Sequence, residues 1–203
     1  MRPLLKVNRI TNLQDARSSA AVGVNLLSFS LERGDDRKLP AKLIWSMTNW
    51  LSGVEIVLNL NLQSLGELKE VGESFDFQWV GFPAEEWDNR LWEDLDAIIL
   101  SASSQTSPEA IAQWIAEVEE QDKRILIELA VNDSEQLGAF EAVFPHLLLH
   151  FSSVEELQSF AATSPLVPAG FVLGEEAEEG PGELDYQRID EFIEVFEARF
   201  GEG

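Results

Sequence analysis

The chain reads as a single (β/α)8 barrel, and three observations predict it. Apolar segments rich in β-branched and aromatic residues recur eight times along the 203 residues, each followed by a stretch with helical spacing. That alternation is the pattern of βα units feeding a parallel sheet, and eight copies of one unit favour closure into a barrel over an open sheet. A hydrophobic content of 45%, with six Trp and twelve Phe, supports one sizeable core. No linker or composition break divides the chain, so residues 1–203 are expected to form one compact domain with short loops.

The strands are expected over residues 4–10, 24–31, 54–60, 75–80, 97–101, 125–130, 147–151 and 170–173. Helix signals fall between them. Thr11, Asn12, Leu13 and Gln14 have the order of a capping box, with Thr11 as the cap, and Gly23 closes that unit. Pro40 opens a helix whose Leu43, Ile44, Met47, Trp50 and Leu51 share one face, and Gly53 ends it. A third helix is expected over 64–71 and a fourth over 85–95, the latter carried by Trp87, Leu91, Trp92 and Leu95. Ser107 and Pro108 supply an N-cap and a preset first turn for Ile111, Trp114, Ile115 and Val118. Pro145 and Pro165 mark the limits of the sixth and seventh units. In the last helix Ile189, Phe192, Ile193, Phe196 and Phe200 form one stripe for docking on the barrel wall. The six Trp are expected mainly in the core and the barrel wall.

Charge and composition exclude several function classes. The net charge of -23 sets up a field that repels phosphate backbones and anionic lipid, so neither nucleic acid nor membrane is an expected partner. The absence of cysteine removes disulfides, thiolate metal sites and thiol nucleophiles. With His146 and His150 the only histidines, no metal centre or other cofactor is expected. No apolar run reaches the roughly 18 residues of a membrane span and no signal segment opens the chain, which places it in the cytoplasm. An aromatic patch around Trp87 and Trp92 would suit a homodimer contact, and would look the same in sequence as a helix packed on the barrel.

Two segments carry a family resemblance. Lys6-Val7-Asn8-Arg9-Ile10-Thr11, running into Asn12-Leu13-Gln14-Asp15-Ala16, resembles the first strand of the phosphoribosylanthranilate isomerase family, Lys-hydrophobic-Cys-Gly-Ile-Thr followed by Asn-Leu-x-Asp-Ala. Gly180-Pro181-Gly182-Glu183-Leu184-Asp185 resembles the Pro-Gly-x-x-Asp lead into that family's final helix. The resemblance implies a (β/α)8 barrel with its site at the carboxyl ends of the strands. It further implies an Amadori rearrangement in tryptophan synthesis, with a first-strand cysteine as general base and a sixth-strand aspartate as general acid.

Asn8 stands at the cysteine's place and Arg9 at the glycine's. An amide has no basic or nucleophilic form near neutral pH, so Asn8 cannot act as the base. On the sixth strand Ile125-Leu126-Ile127-Glu128 resembles the apolar-apolar-Asp pattern, which makes Glu128 the candidate acid; the alternative is a carboxylate paired with Lys6 or Arg9. His150 is a candidate partner for it, or a packed histidine. Arg9 and Arg37 are candidate ligand contacts, Arg37 resembling an arginine that the family often carries after strand two. The family's glycine-rich phosphate loops follow strands seven and eight, where this chain has Ser152 and Ser153, and then Gly174 ahead of Glu175, Glu176, Glu178 and Glu179. Carboxylates there would repel a phosphate dianion. The acidic loop 175–179 is either solvated or a cation site.

The expectation is therefore an isomerase-like barrel that has lost the rearrangement and acts as a binding or regulatory module for a small molecule at its carboxyl-end mouth. The alternatives are an isomerase using Glu128 with a partner other than cysteine, and an enzyme for a cationic or metal-bound ligand.

Overall fold

The computed structural model describes residues 2–66, 77–87, 95–132, 134–174, 178–180 and 183–201. Eight parallel strands close into a barrel in sequence order: β1 (Leu4–Val7), β2 (Leu26–Ser30), β3 (Glu55–Asn59), β4 (Trp79–Pro83), β5 (Ala97–Ala102), β6 (Arg124–Val131), β7 (Leu147–Phe151) and β8 (Gly170–Leu173). Closure is made by β1, which pairs Lys6 with Leu26 of β2 on one side and with Val172 of β8 on the other. The helices are α1 (Leu13–Ala21), α2 (Ala41–Thr48), α3 (Pro108–Glu119), α4 (Val154–Thr163) and α5 (Tyr186–Phe200). A short antiparallel pair, Glu178–Gly180 with Glu183–Leu184, precedes α5.

Strand alternation sorts the core into two layers. Leu26, Val57, Trp79, Ile99, Leu126, Leu148 and Val172 pack inside the barrel, while their neighbours in the chain pack outward under the helices. On the outer side of β7 and β8, Phe151 and Phe171 meet Phe160 of α4 and Phe192, Phe196 and Phe200 of α5, with ring centroids 5.2 to 6.4 Å apart. The expected stripe of the last helix is thus the one that docks. Ser107 caps α3 by accepting from the Ala110 amide at 3.2 Å, with Pro108 behind it, as its sequence requires.

Several expectations are corrected. The fourth strand spans Trp79–Pro83 and runs past the expected end at residue 80, while residues 75 and 76 of the expected strand lie outside the described residues. The cap of α1 is Asn12 rather than Thr11: its Oδ1 accepts from the Asp15 amide at 2.9 Å. Trp50 and Leu43 do not share the buried face of α2, which is made by Ile44 and Met47; Trp50 is 73% exposed and Trp45 48%. Leu62–Ser64 and Ala84–Glu86 are single 3-10 turns, and the remainder of the expected third and fourth helices, with Trp92, lies outside the described residues. Trp87 is half-buried and donates to Glu117 at 3.1 Å. Between β6 and β7 the chain winds in 3-10 turns over Ser134–His146, and Pro145 is its next-to-last residue.

The two segments that carried the resemblance touch one another. Asp15 is 5% exposed; its carboxylate accepts from the Asn12 side chain at 2.8 Å, from the Tyr186 hydroxyl at 2.5 Å and from the Leu184 amide at 3.4 Å. A side chain of α1 therefore fixes the entry to α5, which Asp185 caps through the amides of Gln187 and Arg188.

Candidate active site

Lys6 of β1, Asn8 just past its end and Glu128 of β6 alternate into the barrel interior near its carboxyl end. They meet there. Lys6 Nζ, with 1% of its side chain exposed, lies 2.6 Å from Glu128 Oε2. Asn8 Nδ2 donates to Glu128 Oε1 at 2.6 Å, and Asn8 Oδ1 accepts from Lys6 Nζ. Each of the three groups is bonded to the other two.

This triangle fixes the protonation of Glu128. Burial, the largest influence, pushes its carboxyl up; the Lys6 ammonium, through charge and hydrogen bond, together with His150 and the Asn8 amide, outweighs burial and holds it below the ordinary value of 4.5. Glu128 is a carboxylate at neutral pH, able to accept hydrogen bonds and unable to donate a proton.

Above the triangle opens a cavity of about 660 Å3, lined by residues from the carboxyl ends of all but the second strand and by Glu32 of the loop after β2. Glu128, Asn8, Arg9, His150, Ser152 and Gly174 line it, as do Glu32, Asn59, Glu85 and Asn132. Arg37 and Ser153 do not. The Arg37 amide bonds to Asp35 at 2.9 Å, and Ser153 is the N-cap of α4.

Arg9 takes φ 55, in the left-handed region. Ser28 holds that turn: its backbone oxygen accepts from the Ile10 amide at 2.8 Å and its hydroxyl from the Arg9 amide at 3.2 Å. The same hydroxyl accepts from Asn59 Nδ2 at 3.0 Å. Across from Asn59 is Gly81, where a Cβ would collide with the Asn59 side-chain oxygen. Glu32 was not singled out by any motif. Burial, then the nearby Asp35 and Glu86, push its carboxyl above the ordinary range, against the opposing pull of Arg9 and Lys6.

At the end of β7 the Ser152 amide and hydroxyl are already engaged. Glu156 reaches back so that its Oε2 accepts from the Ser152 amide at 3.0 Å and from the Ser152 hydroxyl at 2.8 Å, while Ser153 Oγ accepts from the Glu156 amide at 3.2 Å. An internal carboxylate occupies the α4 N-terminus, where a helix would otherwise attract an anion. Of the acidic segment 175–179, residues 175–177 lie outside the described residues. Among the described residues no group of three His, Asp or Glu could hold a metal ion, and no helix is long and apolar enough to cross a membrane.

No family model and no curated protein matches the chain. Solved structures do. A phosphoribosyl anthranilate isomerase in complex with reduced 1-(o-carboxyphenylamino)-1-deoxyribulose 5-phosphate superimposes with a TM-score of 0.79 at 18% identity, covering 97% of this chain and 99% of that one. The chain has the fold of phosphoribosylanthranilate isomerase. Two further phosphoribosylanthranilate isomerases agree: the Thermus thermophilus structure, with a TM-score of 0.77 at 18% identity over 96% and 98% of the two chains, and one of mutually generated monomers of the dimeric Thermotoga maritima protein, with 0.76 at 18% over 97% and 99%. The mouth lies at the carboxyl ends of the strands, the end where barrel enzymes carry their chemistry in βα loops. Its titratable lining residues are Glu32, Glu85, Glu128 and His150, with Arg9 as the lining cation.

Proposed function

We propose that this chain is an isomerase-like barrel that no longer performs the Amadori rearrangement and binds a small polar molecule in its carboxyl-end mouth. The observation that carries this is the closed triangle of Lys6, Asn8 and Glu128. The rearrangement, as the resemblance describes it, needs one group to donate a proton to the ring oxygen and another to take the C2 proton. At the first of these places stands a carboxylate kept ionised by a buried lysine, and at the second an amide. General acid-base chemistry requires both protonation states near the working pH, and neither residue supplies them.

Glu156 supports the same reading from the far side of the mouth. A phosphate dianion at the end of β7 would have to displace a carboxylate that already takes two donors. The lining instead offers Glu32, Glu85 and Glu128 against Arg9, which favours neutral or cationic polar ligands over phosphorylated ones. An isomerase using Glu128 as acid with His150 is opposed by Lys6, because proton release from Glu128 has already occurred.

The test is genetic. Expressed in a bacterial strain that lacks phosphoribosylanthranilate isomerase, the chain is expected to leave tryptophan auxotrophy unrelieved, while its abundance in the soluble lysate shows that the barrel folds. Growth without tryptophan would refute the proposal.

A further inference from the structure

Donors on four residues that line the mouth are engaged within the protein. The Asn8 amide donates to Glu128, the Asn59 amide to the Ser28 hydroxyl at 3.0 Å and the Asn132 amide to the Ser104 hydroxyl at 2.7 Å, while Glu156 takes the amide and hydroxyl of Ser152. Two of these amides are left with an open oxygen. Asn59 Oδ1 lies over Gly81, so close that no Cβ fits there, and neither it nor Asn132 Oδ1 accepts from any described residue. Glu32 is open to a greater degree. It follows β2 by two residues, next to the end of β3, where the Leu31 amide donates to the Asn59 backbone oxygen at 2.9 Å. Its carboxyl is half-buried, lines the cavity and takes no hydrogen bond from any described residue. Arg9 acts on it through charge alone, against Asp35 and Glu86. A carboxyl drawn half out of water without a donor is disfavoured, and a bound donor relieves that cost.

We propose that the molecule bound in this mouth carries a protonated amine, and that Glu32 is the residue that binds it, with the Asn59 side-chain oxygen as a second acceptor. The inference rests on the reading of the mouth as the site of a small polar ligand and adds the group that the ligand carries. An ammonium has three donors and no acceptor, which matches a wall whose open positions are a carboxylate and amide oxygens. A phosphate or carboxylate ligand has the opposite inventory: it would leave those oxygens unmatched and meet like charge at Glu32. A hydroxyl can donate to the same oxygens but, lacking charge, gains less there. Glu128 is not the anchor, since Lys6 and Asn8 already bond to its two oxygens.

Amide NMR of the full chain, titrated at neutral pH with aminobutanol, butanediol and hydroxybutyrate, tests the proposal. These probes are chains of equal length ending in an ammonium, a hydroxyl and a carboxylate, and the Gly81 amide, on a lining residue, reports occupancy of the mouth. Aminobutanol is expected to bind at least about tenfold more tightly than butanediol, the gain of a hydrogen bond to a charged group over a neutral one, and hydroxybutyrate most weakly. Glu32→Gln should reduce aminobutanol to the affinity of butanediol, with the amide spectrum away from the mouth unchanged. Glu191→Gln, which makes the same change in net charge on the exposed side of α5, should leave all three affinities as they are. Butanediol or hydroxybutyrate binding as tightly as aminobutanol, or an amine preference that survives in Glu32→Gln, overturns the inference and leaves the mouth a ligand site. A Gly81 amide that none of the three probes moves overturns the inference and that reading together.

Discussion

Asn8 Nδ2 donates to Glu128 Oε1 at 2.6 Å, so the side chains at the two positions where the isomerase resemblance calls for a base and an acid are bonded to each other at the floor of the mouth. Lys6 completes the arrangement from below, with its ammonium 2.6 Å from the second carboxylate oxygen. Breaking a buried ion pair from one side strands the other charge, and this is where the molecule should be most sensitive.

Lys6→Met is expected to lower unfolding free energy by about 3 to 5 kcal/mol, the cost of leaving a buried carboxylate without its cation. Lys6→Met combined with Glu128→Gln should recover most of that loss. Urea denaturation of the two single variants and the double variant measures the coupling; independent, additive effects would show that the pair does not act as a unit.

The depressed Glu128 carboxyl sets a pH dependence. A folded-state value below the ordinary 4.5 means that Glu128 contributes stability in full above about pH 4.5 and loses it as pH falls through the lower folded value. Wild type should therefore lose stability more steeply than Glu128→Gln on acidification below 4.5. Parallel stability curves for the two proteins over that window would contradict the ion-pair account.

Arg9 is held at φ 55 where the family resemblance has glycine. A side chain in that conformation costs roughly 1 to 2 kcal/mol, and a branched one more. Arg9→Gly should leave stability within about 1 kcal/mol of wild type or slightly above it, because relief of strain offsets the greater freedom of the unfolded chain. Arg9→Val should fall below wild type by 1 kcal/mol or more, again roughly. A Val variant as stable as the Gly variant would mean the turn relaxes.

Glu156 predicts the response to phosphate. Millimolar inorganic phosphate should not raise the melting temperature of wild type, since the Ser152 amide and hydroxyl are both taken. In Glu156→Ala those donors are released, and phosphate should raise the melting temperature at low salt. Stabilisation of wild type equal to that of the variant would show that the mouth retains a phosphate site.

Much of the fold was legible in the sequence because a parallel strand buried on both faces leaves a run of branched and aromatic residues, as in Ile125 to Leu129 and Leu147 to Leu149. The fourth strand runs past its expected end at residue 80 through Gly81, which is there for close approach to Asn59, and no local pattern announces that contact. Trp50 was read into a buried stripe because periodicity finds a face and cannot say what covers it. At the site, Glu128 both lines the mouth and pairs with Lys6, so the two readings that the sequence leaves open for it coexist. Glu32, Asn59 and Asn132 escaped notice because they converge only through barrel closure. The resemblance itself rests largely on residues such as Asn12, Asp15 and Asp185, which hold the first and last helices in place.

Turnover of freshly made phosphoribosylanthranilate by purified protein, followed as loss of anthranilate fluorescence, tests the central claim most directly. The locked triangle predicts a rate no different from buffer, for wild type and for Glu128→Gln alike. Enzymatic turnover by wild type that Glu128→Gln abolishes would show that Glu128 still serves as the acid despite Lys6, and would contradict the account.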